Sequence, residues 1–387
     1  MELILVTDEK TAAQFLQVHI VLNKNVPGWI RPLDKDINDV FDPNKNKAFR
    51  HGECVRWIVK DSQGRLIGRI AAFVNKKYKN KGDEGPVGGI GFFDCIDNQE
   101  AANLLFDTAR QWLAERGMEA MDGPINFGER NNWWGLLTKG FHEPLYAMNF
   151  NPPYYMRLFE DYGFQVFFHQ ICYGMLVRDQ LQAKFSERHA AISKDPDFTA
   201  RHIRKSQLEK FATDFCIVYN KAWAQHAGGK EMGKSQALAI FKQMKPLMDE
   251  RIGWFAYYKD EPIAIWLNLP DFNQYVKHMN GKLGLRQKLY FLWEKITGTN
   301  KKMTGIIFGI IPEFQGRGVD AYIIIEGAKV IQQKLTYEDY EMQWIGDFNP
   351  KMLNMAASLG ASPSRQLTTY RYLFDRTRPF QRHPIFS

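Results

Sequence analysis

A glycine-containing turn at residues 312–320 is the segment whose residue types point most directly to chemistry. It reads Pro312-Glu-Phe-Gln-Gly-Arg-Gly-Val-Asp320, follows the apolar stretch 303–311 and precedes a helical pattern that runs to Lys334. Glycines let the backbone take positive φ and approach a ligand without a Cβ in the way. The first amides of a helix lack intrahelical partners and lie at the positive end of the helix dipole. The pattern therefore predicts an anion site suited to a pyrophosphate.

The same residues resemble motif A of the GNAT (Gcn5-related) acyltransferase superfamily, whose pattern is Gln/Arg-x-x-Gly-x-Gly/Ala. Gln315 and Gly318 match the first two positions, and Asp320 stands where that family has Gly or Ala. In the family, the backbone amides of the motif hold the pyrophosphate of acyl-coenzyme A. The resemblance therefore implies acetyl-CoA or another acyl-CoA as co-substrate, without a metal.

The implied cofactor-binding residues come from the end of the strand, the turn and a later asparagine: Gly309, Ile310, Ile311, Gln315, Gly316, Arg317, Gly318, Val319, Asp320 and Asn349. For the turn, the alternative is a plain connection between a strand and a helix. For Asn349, the alternative is an N-cap for the helix that begins at Pro350.

An amine that attacks a bound thioester also needs a group to take its proton and donors for the developing oxyanion. Glu313 and Asp347 are the carboxylates nearest the motif in sequence and are the candidate bases. Many family members use a helix tyrosine as the acid for the leaving thiolate, and neither half of this chain has it. Tyr370 or Tyr372, on the last predicted strand, is the candidate replacement.

Two further segments are candidates for contact with the substrates. By analogy with tandem GNAT proteins whose sites lie between domains, polar residues of the stretch 126–140 are predicted to face the acceptor: Asn126, Glu129, Arg130 and Asn132. His226 is another candidate, with a structural or loop histidine as the alternative. The segment 270–301 mixes basic and aromatic residues, which is typical of an amphipathic surface helix, a lid over an acyl chain or a basic patch.

The order of predicted elements repeats once along the chain. Thr7-Asp8 is expected to cap a first helix, and both halves then show a hairpin, a strand, a helix, a strand, a helix and a strand. This is also the order of the GNAT fold. The resemblance therefore implies an α/β (α+β) protein with tandem GNAT-like domains at 1–180 and 181–387. Each is expected to hold a mixed, mostly antiparallel sheet flanked by helices, and only the second has the motif A pattern.

Several runs also resemble a family of bacterial tandem GNAT-like proteins over nearly the whole length, and this resemblance implies no particular substrate. The runs are Asn25-Val-Pro-Gly-Trp-Ile-Arg-Pro-Leu33, Phe41-Asp-Pro-Asn-Lys45, Gly64-Arg-Leu-Ile-Gly-Arg-Ile-Ala-Ala72, Asp122-Gly-Pro-Ile-Asn-Phe127 and Asn151-Pro-Pro-Tyr-Tyr155.

Composition narrows the class of protein. The 387 residues carry 51 Lys and Arg against 43 Asp and Glu, a formal charge of +8 that suits anionic ligands without indicating DNA. Four separated cysteines without metal-site spacing suggest reduced thiols. Neither a leader pattern nor an apolar run long enough for a membrane span is seen, so a cytoplasmic protein is expected.

The leading hypothesis is an acyl-CoA-dependent N-acyltransferase. A small-molecule or peptide amine would attack the thioester of an acetyl or longer acyl-CoA directly. The alternatives are a transferase of the same fold that uses aminoacyl-tRNA or acyl-carrier protein as donor, and a binding or sensing protein without catalysis. The sequence does not indicate the oligomeric state.

Overall fold

The structure is a computed structural model that describes residues 1–224 and 231–386. His226 lies outside the described residues. The strands of the described residues, in chain order, are β1 Glu2–Leu5, β2 Gly52–Lys60, β3 Leu66–Asn75, β4 Val87–Cys95, β5 Ala120–Gly123, β6 Leu136–Lys139, β7 Gln165–Leu176, β8 Phe198–His202, β9 Trp254–Tyr258, β10 Glu261–Pro270, β11 Lys302–Ile310, β12 Asp339–Met342, β13 Ile345–Gly346 and β14 Ser362–Leu373.

The α-helices of the same residues are α1 Glu9–Asn23, α2 Asp34–Val40, α3 Gln99–Ala114, α4 Tyr155–Tyr162, α5 Ala183–Ile192, α6 Leu208–Tyr219, α7 Lys234–Met244, α8 Asn273–Val276, α9 Leu285–Thr297, α10 Val319–Lys334 and α11 Pro350–Ser358. No helix within 1–224 and 231–386 has the length and apolar composition needed to cross a membrane.

Helix ends follow capping residues that can be read from the sequence. The Asp8 carboxylate accepts a hydrogen bond from the Thr11 amide at 2.7 Å, so the predicted cap of α1 is confirmed. Gly163 takes φ of 105° and ends α4. Local chemistry therefore sets where these helices begin and end.

The strands form a single mixed sheet that runs through both halves of the chain. Its order is β1-β2-β3-β4-β5-β14-β7-β12-β11-β10-β9-β8, with β6 beside β14 and β13 beside β7. The predicted mixed α/β class is confirmed. The two sheets expected from the repeat are joined edge to edge into one.

The two halves exchange their last strands. β14 comes from the second half but pairs with β5 of the first, with Tyr370 opposite Gly123. β7 comes from the first half and pairs with β12 of the second, with Asp339 opposite Leu176. β7 and β14 also pair with each other along most of their length. Each half therefore completes its sheet with a strand of the other.

The parallel strands of the two halves point in opposite directions within the sheet. β4 is parallel to β5, and β11 is parallel to β12, whereas the three pairings between β5 and β12 are all antiparallel. β4 and β11 therefore run in opposite directions. β10 is antiparallel to β11, so its carboxyl end lies at the same end of the sheet as the carboxyl ends of β4 and β5.

Separate cores support the two halves. In the first, α3 packs Leu105 and Phe106 against the sheet, and Tyr370 of the exchanged β14 belongs to the same cluster. In the second, α10 packs Val319 and Ile323 beneath the strands. Both cores hold a helix that follows the third strand of the repeat, which positions the amino ends of α3 and α10.

Candidate functional site

The third strand of each half leaves its parallel neighbour partway along. β11 pairs with β12 only from Lys302 to Gly305 but continues to Ile310, bonded to β10 on its other side. Within the described residues, no strand pairs with the opposite edge of β11 between Ile306 and Ile310. β4 likewise pairs with β5 over three residues before running on to Cys95. The divergence leaves backbone groups of β11 available to an extended ligand.

The turn after β11 has the conformation that its glycines predict. Gly316 and Gly318 take φ of 72° and 86°, in the left-handed region that favours glycine. Gly318 is the residue before α10, and among the described residues no side chain caps the first turn of that helix. The Gln315 side-chain amide donates to the Ile310 carbonyl at 3.0 Å and ties the turn to β11. The turn therefore offers uncapped helix amides beside the open edge of β11.

The carboxylate of Asp320 is paired with a helix of the same half. Its Oδ2 lies 3.6 Å from Nη1 of Arg188 on α5, and an added Cβ at Gly318 would lie 3.2 Å from the Arg188 Cβ. Arg317 is exposed in the turn itself. Arg188 offsets the negative charge of Asp320, and Arg317 adds a cation next to the uncapped amides.

Asn349 and Asp347 have structural partners of their own. The Asn349 Oδ1 accepts from the Met352 amide at 3.3 Å and caps α11. The Asp347 carboxylate accepts from Nη2 of Arg382 at 2.5 Å. Glu313 is exposed in the turn. The N-cap alternative for Asn349 is therefore observed, and contact of these residues with a cofactor stays a prediction.

The structure does not bring Tyr370 to the turn. Because β14 crosses to the first half, Tyr370 is buried there against Phe159, and its hydroxyl donates to Oε1 of Glu160 at 2.9 Å. Burial and the Glu160 carboxylate raise the pKa of Tyr370. Tyr372 on the same strand packs against Tyr162. The expectation that this strand supplies an acid beside the turn is corrected by the strand exchange.

The four residues predicted to face the acceptor line one cleft in the first half, which we call the first-half cleft. Asn126, Glu129, Arg130 and Asn132 line a cleft with a volume of about 1030 Å³, bordered also by Gln243 of the second half. The cleft is therefore built mainly by the first half, whereas the glycine turn belongs to the second half.

The cleft is rich in positive charge. The described residues that line it include three carboxylates, namely Asp36, Asp39 and Glu129, and six cations, namely Lys45, Lys47, Arg50, Lys77, Lys79 and Arg130. Of these six, only Arg130 was predicted as a site residue, and the closely spaced lysines at 45–47 and 76–79 are the signal that points to most of the others. Such a lining suits an anionic ligand.

Buried polar atoms without partners also border the cleft. The indole nitrogens of Trp133 and Trp134 and the Oδ1 of Asn126 have no hydrogen-bond partner within the described part of the chain. Each such atom costs about 1–3 kcal/mol when it stays unsatisfied. A ligand with both donors and acceptors would remove that cost, so these atoms support a binding role for the cleft.

A buried ion cluster beside β4 is another group that the sequence did not reveal. His19 Nδ1 lies 2.9 Å from Oδ2 of Asp94, and the Trp29 indole donates to His19 Nε2 at 3.0 Å. The Asp94 carboxylate also accepts from Arg69 at 2.6 Å and from the Tyr155 hydroxyl at 3.1 Å. The Trp29 bond assigns the imidazole proton to Nδ1. Both ring nitrogens of His19 are hydrogen-bonded, so the cluster holds α1 and Trp29, in the segment after α1, against β4.

Comparison with known proteins shows what the chain is similar to. It is 24% identical over 375 residues to the bacterial ceramide synthase of Caulobacter vibrioides, covering 93% of this chain and 95% of that protein. It is 26% identical over 354 residues to the protein YghO of Escherichia coli, covering 89% and 88%. No family model matches the chain.

Among solved structures, a tandem GNAT protein from the clavulanic acid biosynthesis pathway superposes with a TM-score of 0.52 at 10% identity, covering 98% of this chain and 99% of the other. The chain has a tandem GNAT-like fold. A Gcn5-related glucosamine N-acetyltransferase region in a fungal multi-domain GH3 β-N-acetylglucosaminidase superposes with a TM-score of 0.55 at 13% identity, covering 96% of this chain and 38% of the longer one.

The two GNAT-like halves differ at the helix that follows their third strand. In the first half, Asn98 Oδ1 accepts from the Ala101 amide at 2.8 Å and so caps α3. In the second half, Gly318 precedes α10 and leaves its first amides without a side-chain cap. Of the two equivalent helix ends, the second is therefore the one whose first amides have no side-chain cap.

Proposed function

We propose that the protein is an acyl-CoA-dependent N-acyltransferase whose second half holds the thioester. The observation that carries the proposal is the uncapped amino end of α10, which lies behind a glycine turn and beside the open edge of β11. Unpaired amides at a helix amino end bind phosphate groups well. The equivalent helix of the first half lacks this feature because Asn98 caps it.

In this proposal, the residues 315–320 hold the pyrophosphate through backbone amides, and Arg317 adds a positive charge from the solvent side. The open backbone edge from Ile306 to Ile310, apart from the Ile310 carbonyl that Gln315 occupies, binds the pantetheine arm. An amine then attacks the thioester carbonyl, so that a C–N bond forms, the C–S bond breaks and the thiolate leaves. Glu313 remains a proposed proton acceptor. Since acyl-CoA is a cytoplasmic metabolite, the proposal places the protein in the cytoplasm.

For the acceptor, we propose a long-chain amino alcohol or a related lipid amine. A ceramide is a fatty acyl amide of such an amine, and a relative named ceramide synthase aligns over almost the whole chain. Asn126, Glu129, Arg130 and Asn132 are proposed to contact the acceptor in the first-half cleft. The long pantetheine arm separates the thioester from its pyrophosphate, so the donor phosphates and the acceptor need not bind next to each other.

A second candidate places the phosphates of the donor in the first-half cleft instead. Its six cations against three carboxylates favour this arrangement. The cleft would then bind acyl-CoA, or the phosphates of an aminoacyl-tRNA or of an acyl-carrier protein, and the glycine turn would be structural. The two arrangements require different side chains and are separated by charge reversal.

The first experiment measures thermal unfolding with acetyl-CoA, octanoyl-CoA and free coenzyme A, followed by thiol release with a panel of amines that includes sphinganine. A ligand at 100 times its dissociation constant adds about 2.7 kcal/mol to the free energy of unfolding. We expect Arg317→Glu to lose most of this stabilisation and Lys10→Glu, an exposed charge reversal on α1, to keep it.

Lys47→Glu distinguishes the second candidate. If Lys47→Glu loses the stabilisation while Arg317→Glu keeps it, the donor phosphates bind in the first-half cleft. If no acyl-CoA stabilises the parent protein, the acyl-CoA proposal is wrong for both sites.

A further inference from the structure

The helix α9 presents an apolar face that no other described part of the chain covers. Its exposed members recur at spacings of four, three, one and three residues, which places them on one side of the helix within an arc of about 100°. They are Leu285, Leu289, Leu292, Trp293 and Ile296, with exposed fractions of 74%, 58%, 53%, 57% and 85%. Large apolar side chains exposed together mark an interaction surface.

The opposite side of α9 is fixed to the protein. The Phe291 ring lies 4.9 Å from the Tyr275 ring and 5.8 Å from the Phe272 ring, both in the segment around α8. The Tyr290 ring lies 5.8 Å from the ring of His278. Because these contacts fix the inner side of α9, a small rotation of the helix cannot bury its outer apolar face.

Positive charge surrounds the apolar face. Lys282, Arg286 and Lys288 are exposed, and on α9 the latter two flank opposite sides of the apolar arc. Glu294 is the single carboxylate between residues 282 and 297, and it accepts from the Thr299 hydroxyl on the inner side. An apolar face with Leu and Trp, bordered by Lys and Arg, is typical of helices that lie in a membrane interface.

We propose that α9 docks the protein on an anionic phospholipid bilayer. The five apolar side chains enter the boundary between head groups and acyl chains, and Lys282, Arg286 and Lys288 contact lipid phosphates. The 13 residues of α9 make a helix about 20 Å long, which is too short to cross a bilayer and therefore lies in its plane.

Charge favours a bilayer over a second copy of the chain. Two α9 faces related by a twofold axis would bring the same cations together, and like charges in contact repel. Anionic lipids instead match the cations on both sides of the apolar arc. A lid that closes over a bound acyl chain would turn this face inward, against the contacts of Tyr290 and Phe291.

The docking helix is connected to the first-half cleft. The Asp34 amide donates to the Gly281 carbonyl at 2.8 Å, and Arg31 donates to the Asn280 side chain at 3.1 Å. Asp34 is the first residue of α2, and α2 and the loop after it line the cleft through Asp36, Asp39 and Lys47, among others. A bilayer bound at α9 would therefore lie near α2, which borders the cleft.

Vesicle flotation tests the proposal with the 387-residue chain and vesicles of phosphatidylcholine alone or with about 30% phosphatidylglycerol. We expect the parent to float with the anionic vesicles and the double variant Leu289→Glu, Ile296→Glu to lose at least about tenfold in partitioning. The matched control, Val21→Glu with Leu176→Glu, removes two exposed apolar residues outside α9 and should float like the parent. A blue shift of tryptophan emission that Trp293→Leu removes would support insertion of this face.

The charge variant Lys282→Glu, Arg286→Glu, Lys288→Glu should lose the preference for anionic vesicles, and added salt should weaken parent binding. Equal flotation of parent and double variant overturns the proposal. So does a parent that does not float but forms a concentration-dependent dimer that the double variant lacks, because that result assigns the face to a second copy. Unchanged flotation with an altered acyl-chain preference would instead assign it to a lid.

Discussion

One ion pair explains how the carboxylate of Asp320 can lie beside the proposed phosphate site. A first-turn acid is favourable with the dipole of its own helix, and Asp320 occupies the first turn of α10. Its carboxylate lies near Arg188, which is on α5 and more than 130 residues away in sequence. Arg188 therefore offsets the negative charge of Asp320 next to the turn, and Arg317 stays exposed, where it is accessible to the proposed phosphate.

Asp94 makes the contribution of its buried cluster to the free energy of unfolding depend on pH. Burial alone would raise its pKa, but its partners His19 and Arg69 more than offset burial and lower the pKa from 3.8 to about 2. A lowered pKa means that the folded state favours the carboxylate. Its contribution to stability is therefore fully present above about pH 4 and is lost as the pH falls to about 2.

We expect Asp94→Asn to reduce the stability at neutral pH and to flatten its pH dependence between about pH 2 and pH 4. The shift corresponds to about 2 kcal/mol that the parent loses across this range and the variant does not. Urea unfolding at several pH values measures both free energies. A variant whose pH dependence has the same slope as that of the parent would contradict the role assigned to Asp94.

At the scale of elements, β14 is held in place by buried ions as well as by backbone pairing. Arg365 Nε lies 2.7 Å from Oε1 of Glu341 on β12, and Lys302 of β11 lies 2.6 Å from Oε2 of the same carboxylate. Burial opposes the charged form of Glu341, but the neighbouring His142, Arg365 and Lys302 hold its pKa well below its usual range. The exchanged strand is thus joined to its own half by a buried charge network.

Removing one partner of this network should cost far more than removing a surface ion pair. We expect Arg365→Met to lower the free energy of unfolding by about 3–5 kcal/mol, because it leaves the Glu341 carboxylate buried with only part of its compensation. Arg157→Met removes an exposed pair with Asp97 and should cost less than about 1 kcal/mol. Urea unfolding at neutral pH compares the two, and equal losses would show that the Arg365 network does not support β14.

At the scale of the whole molecule, the strand exchange makes the two halves depend on each other. The first-half core includes Tyr370 and Tyr372 of β14, which the second half supplies. Without β14, the edges of β5 and β7 that face it would lose their pairing. Unpaired edges and a core that lacks two tyrosines both disfavour folding.

We expect residues 1–180 produced alone to be aggregated or without cooperative unfolding, and co-production with residues 181–387 to restore a soluble, folded complex. Near-ultraviolet circular dichroism and thermal melts of the two preparations measure this. A fragment 1–180 that melts cooperatively by itself would contradict the dependence and would make 1–180 an independent domain.

Much of the local structure was determined by the sequence itself. The cap at Asp8, the turn glycines at 316 and 318 and the repeated order of elements follow from short-range chemistry, because caps, positive φ and apolar periodicity act within a few residues. The amphipathic pattern of 285–297 was also visible. Motif resemblance identified the turn as the candidate phosphate site.

Which strands become neighbours and which surfaces stay uncovered depends on the tertiary fold. Pairing of β14 with β5 moved Tyr370 to the first half and joined the sheets of the two halves into one. Folding also gathered Lys47, Lys79 and Arg130 in one cleft and left the outer face of α9 exposed. These features depend on contacts between residues far apart in sequence, and local periodicity carries no information about the partner of a strand or the cover of a helix.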